Sequence, residues 1–247
     1  MTTTHAPQAL RNDRGTGVSN YTFIDSATQA ESLAADVARL LRAAIAERGT
    51  ASLIVSGGRS PTQFFEALST ADLAWRDVTV SLTDERLIDT ATGESNERLV
   101  RTHLLINAAR DAHFVSLRSA VADAGMALAD RNRALLRLVR PFDVLVLGMG
   151  VDGHTASMFA GADGLAAALD PAAAPALVGL NLAGDAQARI SLNRAALLDS
   201  RCICLLIQGR EKREVLARAC DGTPPEELPV ATIVQQRQVP VHVYWSP

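Results

Sequence analysis

The stretch VLVLGMGVDGHTASMF, residues 144–159, runs from an apolar segment into Gly148, Gly150 and Gly153, with Asp152 just before the last glycine and His154 just after it. GxGxxG between a strand and a helix is the pattern of a dinucleotide site, where glycines let the backbone approach a pyrophosphate. Two features argue against that use here. The fingerprint belongs to the first βαβ unit, with an acidic residue about 20 positions on to hold the ribose. In this chain it lies past the middle, and the acidic residue at that distance, Asp170, precedes a proline in an alanine-rich segment. Ionisable side chains also crowd the turn where a pyrophosphate needs clear backbone. Proton transfer suits the residues better: imidazole, with an unperturbed pKa near 6.5, can take a proton from water and return it to a leaving oxygen. Asp152 could orient His154 or the water, and Asp84, at the end of another apolar segment, could do either. Spacing does not separate those two roles.

A second group of residues suits an anion. Ser56-Gly57-Gly58-Arg59-Ser60 follows an apolar segment and precedes a helix pattern. Such a turn can point backbone N–H groups inward at a helix N-terminus and hold one phosphate group. A tight turn with Ser60 as a helix cap explains the same residues equally well. Arg86 offers a planar fork of donors for a phosphate. Lys212 is the one lysine among 24 basic residues and lies at a strand-to-helix junction, where its compact ammonium could reach the same rim. Arg189 reads either as a further phosphate clamp or as an edge charge. His5, His103, His113 and His242 read as surface or helix residues, and Glu85 and Glu97 as structural charges. No GxSxG elbow offers a covalent serine.

Positioning these groups falls to an alternation of short apolar strands with helices. Strands are expected at 21–24, 51–55, 78–82, 114–115, 142–147, 188–192, 202–207 and 241–245. Helices are expected after a capping box of Ser26 and Gln29, after Ser60 and Pro61, and at 98–106, 124–139 and 211–220. The pattern implies an α/β fold with a mostly parallel sheet covered on both faces, whose ligands sit at the carboxyl ends of the strands. Residues 1–20 read as a disordered tail and 21–247 as one domain.

Composition narrows the partners. Lys and Arg number 24 against 27 Asp and Glu, a net charge of −3 without a basic run, so nucleic acid is not expected. No stretch is long and apolar enough for a membrane span, and the polar start lacks a signal core. The three cysteines read as buried thiols of a reducing cytoplasm, and no metal-ligand spacing occurs. No obligate protein partner is evident.

Taken in order, SGGRSP, TDER with SNERLVRTHLL, GMGVDGHTASMF, ARISL, GREK and LPVATIV resemble the motifs of the 6-phosphogluconolactonases, over about residues 50–235. The resemblance implies a Rossmann-like three-layer α/β/α fold and hydrolysis of 6-phospho-D-glucono-1,5-lactone to 6-phosphogluconate, in the cytoplasm and without cofactor or metal. It implies His154, with Asp152 and Asp84, as the catalytic set. Ser56, Gly57, Gly58, Arg59, Ser60, Arg86, Arg189 and Lys212 are implied as the seat of a phosphorylated sugar lactone. Two residues depart from the family's habit: Arg59 stands where a small polar residue is usual, and Ala160 where a proline is usual. An amino sugar phosphate deaminase or isomerase on the same fold is the rival reading, although such enzymes carry an aromatic residue after the Asp-Glu pair, where this chain has Arg86.

Overall fold

A computed structural model describes residues 17–87, 94–118, 124–135, 138–184 and 187–247. In chain order it contains β1 (Val18–Thr22), α1 (Ser26–Arg48), β2 (Ala51–Val55), α2 (Thr62–Ser69), β3 (Val78–Leu82), β4 (Asp84–Arg86), α3 (Asn96–His103) and β5 (His113–Phe114). There follow α4 (Ala124–Leu135), β6 (Val144–Gly148), α5 (Leu165–Leu169), β7 (Leu177–Leu180), β8 (Arg189–Leu192) and α6 (Arg194–Leu198). The chain ends with β9 (Ile203–Gln208), α7 (Arg210–Cys220), α8 (Ala231–Val234) and β10 (Val241–Ser246).

Seven strands form one parallel sheet in the order β1-β10-β9-β6-β2-β3-β5. Helices cover both faces, so the central strands are shielded from water: all five residues of β2 are buried, as expected where neither face meets water. This is the expected α/β architecture. The order steps outward in both directions from β2 and β6, and the ends of β2, β3, β6 and β9 therefore open on a common rim.

Sequence and structure part at several boundaries. β1 starts at Val18, inside the stretch expected as a tail, because residues 18–22 pair with β10; His5 lies outside the described residues. The cap of α1 is Asp25, with extended backbone and a side-chain Oδ1 that accepts the Thr28 N–H at 2.8 Å, and not Ser26. That shift frees Gln29 from a capping box. Its fully buried amide instead donates to Ile207 O and Tyr244 O, both at 2.8 Å, and accepts from Ser246 Oγ at 3.2 Å, stapling α1 to β9 and β10. Ser60 makes no cap either, since α2 begins at Thr62 after Pro61. α3 starts two residues early because Ser95 caps it and the buried Glu85 carboxylate accepts the N–H groups of Asn96 and Glu97 at its positive end. α4 is assigned only to Leu135, with residues 136–137 outside the described set. His242 lies within β10, bonded to the Tyr21 hydroxyl, and is no surface or helix residue. Cys202 and Cys204 are buried and Cys220 is exposed, so only two of the three thiols are in the core.

The largest departure is a second sheet, β4-β8-β7, antiparallel throughout. After β3 the chain turns at Thr83 and becomes β4 instead of a loop, so Asp84-Glu85-Arg86 is held by β8 at 189–191. This ribbon sets Arg86 directly opposite Arg189. Among the described residues, no helix is long and apolar enough to cross a membrane.

Gln29 supplies a stability test. Gln29→Ala should leave two strand-end carbonyls without their donor and destabilise the fold by roughly 2–4 kcal/mol, read as a lowered midpoint in chemical denaturation.

Candidate active site

Where the strands end, a cavity of about 260 Å³ opens. Of the eleven residues expected at the site, all but Asp152 line it. Asp152 stands behind His154: its Oδ1 lies 2.6 Å from Nδ1 of the imidazole and 3.2 Å from the His154 N–H. A carboxylate only accepts, so Nδ1 carries the proton and Nε2 is left for chemistry. The hydrogen bond from His154 holds the Asp152 carboxyl below its ordinary range, against the opposing effect of burial. The pairing is therefore complete above the usual carboxylate range and is lost only as pH falls through that lowered value. Phe159 fixes the imidazole plane, its ring stacked on that of His154 with centroids 4.0 Å apart.

The glycines of this turn now have individual reasons. A Cβ on Gly150 would stand 2.2 Å from His154 Nδ1 and 2.3 Å from Asp152 Oδ1, so only glycine leaves room for the pair. Gly153 has φ +77° and its Cβ would meet Leu228 at 2.5 Å, while its carbonyl accepts from Val230 N–H. The LPV segment thus braces the turn from below. Thr155 Oγ1 ties back to Gly148 O at 2.9 Å, and Ala156, a non-glycine at φ 49°, lines the cavity.

Asp84 is nearly buried, and two hydroxyls reach it. Thr83 Oγ1 donates to Oδ1 at 2.8 Å, and Ser157 Oγ donates to Oδ2 at 2.6 Å. Thr83 is also 2.8 Å from Ser56 Oγ. A chain of polar contacts therefore links the ends of β2, β4 and the His154 turn. Asn96 donates to Asp84 O at 2.9 Å and packs against Gly57, where a Cβ would fall 1.8 Å from its Oδ1. Asp84 and Asp152, indistinguishable by spacing, thus occupy different places: one lines the cavity, the other backs the imidazole.

The cationic side is equally specific. Arg86 and Arg189 face each other as cross-strand partners, an arrangement that like charges disfavour unless an anion lies between or near them. Arg86 Nη1 donates to Glu94 O, while its buried Nε has no partner. The Arg189 guanidinium carbon lies 5.1 Å from the Phe159 ring centre. Burial, and then the positive charge of Arg59, pulls the Lys212 ammonium below its ordinary value, with Asp152 opposing. Among the described residues, the N–H groups of residues 57–60 donate to no acceptor, whereas the Ser56 N–H is bound to Val146 O at 2.9 Å. Among the described residues no three His, Cys, Asp or Glu side chains come together as metal ligands.

Sequence reading missed Thr83, Asn96, Ser157 and Phe159. Each lies inside a quoted motif, yet nothing in its spacing marks it, because its role depends on a partner from another element.

Comparison with known proteins bears on the family and the fold. The family model described as glucosamine-6-phosphate isomerases/6-phosphogluconolactonase matches residues 24–245. The chain belongs to this family. Relatives named 6-phosphogluconolactonase from Rhizobium meliloti and Mesorhizobium japonicum are 41% and 43% identical, over 91% of this chain and 97% and 94% of theirs. The crystal structure of a 6-phosphogluconolactonase from Shewanella baltica matches with TM-score 0.88 at 37% identity, covering 92% of this chain and 97% of that one. The family match spans every strand except β1 and the last residue of β10, and it includes every residue that lines the cavity.

Gly150 supplies a geometric test within this member of the lactonase/isomerase family. Gly150→Ala should displace the His154–Asp152 pair and lower kcat by about 10²-fold, with the thermal midpoint little changed, since a displacement near 1 Å at a reacting group has that cost.

Proposed function

We propose that this enzyme hydrolyses 6-phospho-D-glucono-1,5-lactone to 6-phosphogluconate by water attack assisted by His154. The observation that carries the reading is that an imidazole backed by a carboxylate and a cluster of cations with open amides line one cavity. The relatives' printed name favours lactone hydrolysis over the amino sugar phosphate deaminase alternative.

A lactone carbonyl is an activated ester, so the reaction needs a held substrate, an activated water and a proton for the leaving oxygen. Arg86, Arg189, Arg59 and Lys212, with the N–H groups of residues 57–60, receive the phosphate. His154 Nε2 draws a proton from water as its oxygen bonds to the carbonyl carbon. Asp152 stabilises the imidazolium and keeps it in orientation. When the tetrahedral intermediate collapses, the bond from that carbon to the ring oxygen breaks. The proton held on Nε2 passes to the ring oxygen, which becomes a hydroxyl, and the new carboxyl ionises. Water is the sole co-reactant.

With freshly prepared lactone in a pH-stat, His154→Ala should lower kcat by roughly 10²- to 10⁴-fold while inhibition by inorganic phosphate persists. Full activity in that variant would sink the mechanism. Asp152→Asn should lower kcat with KM near the wild-type value, since its carboxylate touches the imidazole and not the cavity. Arg86→Ala should act mainly on KM, and an effect confined to kcat would refute its place in the phosphate seat.

A further inference from the structure

The hydroxyls beside Asp84 have a fixed direction, and it changes what Ser56 can bind. Each hydroxyl owns one proton, and an ionised carboxylate owns none to give. The Thr83 proton is therefore spent on Asp84 Oδ1, at 2.8 Å. The contact between Ser56 Oγ and Thr83 Oγ1, also 2.8 Å, must then be made with the proton of Ser56. The only other donor of Ser56, its N–H, is given to Val146 O at 2.9 Å. Ser56 thus has no donor left, although it lines the cavity. What it presents there is lone pairs.

A phosphate dianion offers acceptors and gains nothing from such a group. The remaining chemistry on a phosphorylated sugar lactone that can meet it is a hydroxyl. From this donor count we infer that Ser56 accepts a hydrogen bond from a ring hydroxyl of the substrate, making it a specificity-determining residue and not part of the phosphate seat. This inference rests on the lactone-hydrolysis reading above. The phosphate seat narrows to the N–H groups of residues 57–60 and the surrounding cations. One side of the SGGRS turn then reads the sugar and the other its phosphate, with the change falling between Ser56 and Gly57. Thr83 and Asp84 act through Ser56 by fixing where its proton points.

The test compares the parent lactone with its 2-, 3- and 4-deoxy analogues in the wild type and in Ser56→Ala, with inorganic phosphate as a competing inhibitor. In the wild type, one analogue should lose roughly tenfold in kcat/KM, the value of one neutral hydrogen bond. Ser56→Ala should cost the parent a similar factor and cost that analogue almost nothing further, while phosphate inhibits both proteins equally. Ser56→Cys, of similar volume and a weak acceptor, should follow the same pattern should the alanine variant fold poorly. Phosphate inhibition weakened in step with lactone turnover would overturn the inference, and so would an equal loss for the parent and all three analogues. Absence of turnover by the wild type would instead overturn the hydrolytic reading beneath it.

Discussion

A carboxylate buried at the end of a parallel sheet must be given donors or it destabilises everything around it, and Asp84 is such a group. Among the described residues it has no cationic partner, so its hydroxyl partners carry the compensation. Those hydroxyls come from the adjoining turn and from the loop after β6, and Ser56 joins from the end of β2. Strand ends in a parallel sheet have no hairpin to hold them together, and each leaves the sheet on its own course. At this rim the need of one carboxylate holds three of them. Ser157 lies three residues beyond His154, so the same bond that satisfies Asp84 also limits where the imidazole can stand. Asn96, bonded to the Asp84 carbonyl and pressed on Gly57, extends the constraint to the glycine turn after β2.

The charges facing the cavity follow a different rule. Structural ion pairs elsewhere in the chain join opposite signs, as Arg101 does with Glu97. The cavity's cations instead face one another: Arg86 opposes Arg189, and Lys212 feels the positive charge of Arg59. Like charges set directly opposite one another on paired strands disfavour that pairing. Phe159 connects two sides of the cavity, since its ring stacks on the His154 imidazole and lies beneath the Arg189 guanidinium. One aromatic ring thus lies between the Arg189 guanidinium and the His154 imidazole.

Local patterns disclosed much of this. The largely apolar runs of β2, β3 and β9 read correctly because strands buried on both faces are rich in Val, Ile and Leu. The helix starts read poorly. Asp25, Ser26 and Ser60 all have side chains able to cap, and the choice among them is made by where the sheet needs the chain, which no short window contains. The β4-β8-β7 ribbon was hidden because β4 is only three residues, all charged, and its partner is about a hundred positions away. For the site, residue types with intrinsic chemistry were legible: the histidine, the carboxylates and the lone lysine. Thr83, Ser157 and Asn96 were not, since a hydroxyl or an amide acquires meaning only from the partner that tertiary structure brings to it.

The glycines at 148, 150 and 153 make the same point from the opposite side. Spacing alone fits a nucleotide cradle, because both uses require a strand to turn sharply with little side-chain bulk. What decides between them is the object occupying the space a side chain would have filled. At Gly150 that object is the protein's own imidazole with its carboxylate, and at Gly153 it is Leu228 beneath the turn. Neither space is free for a pyrophosphate. A glycine pattern records that something approaches the backbone closely; the identity of that neighbour is a property of the fold, and here it turns a phosphate-binding signature into the support for an imidazole and its carboxylate.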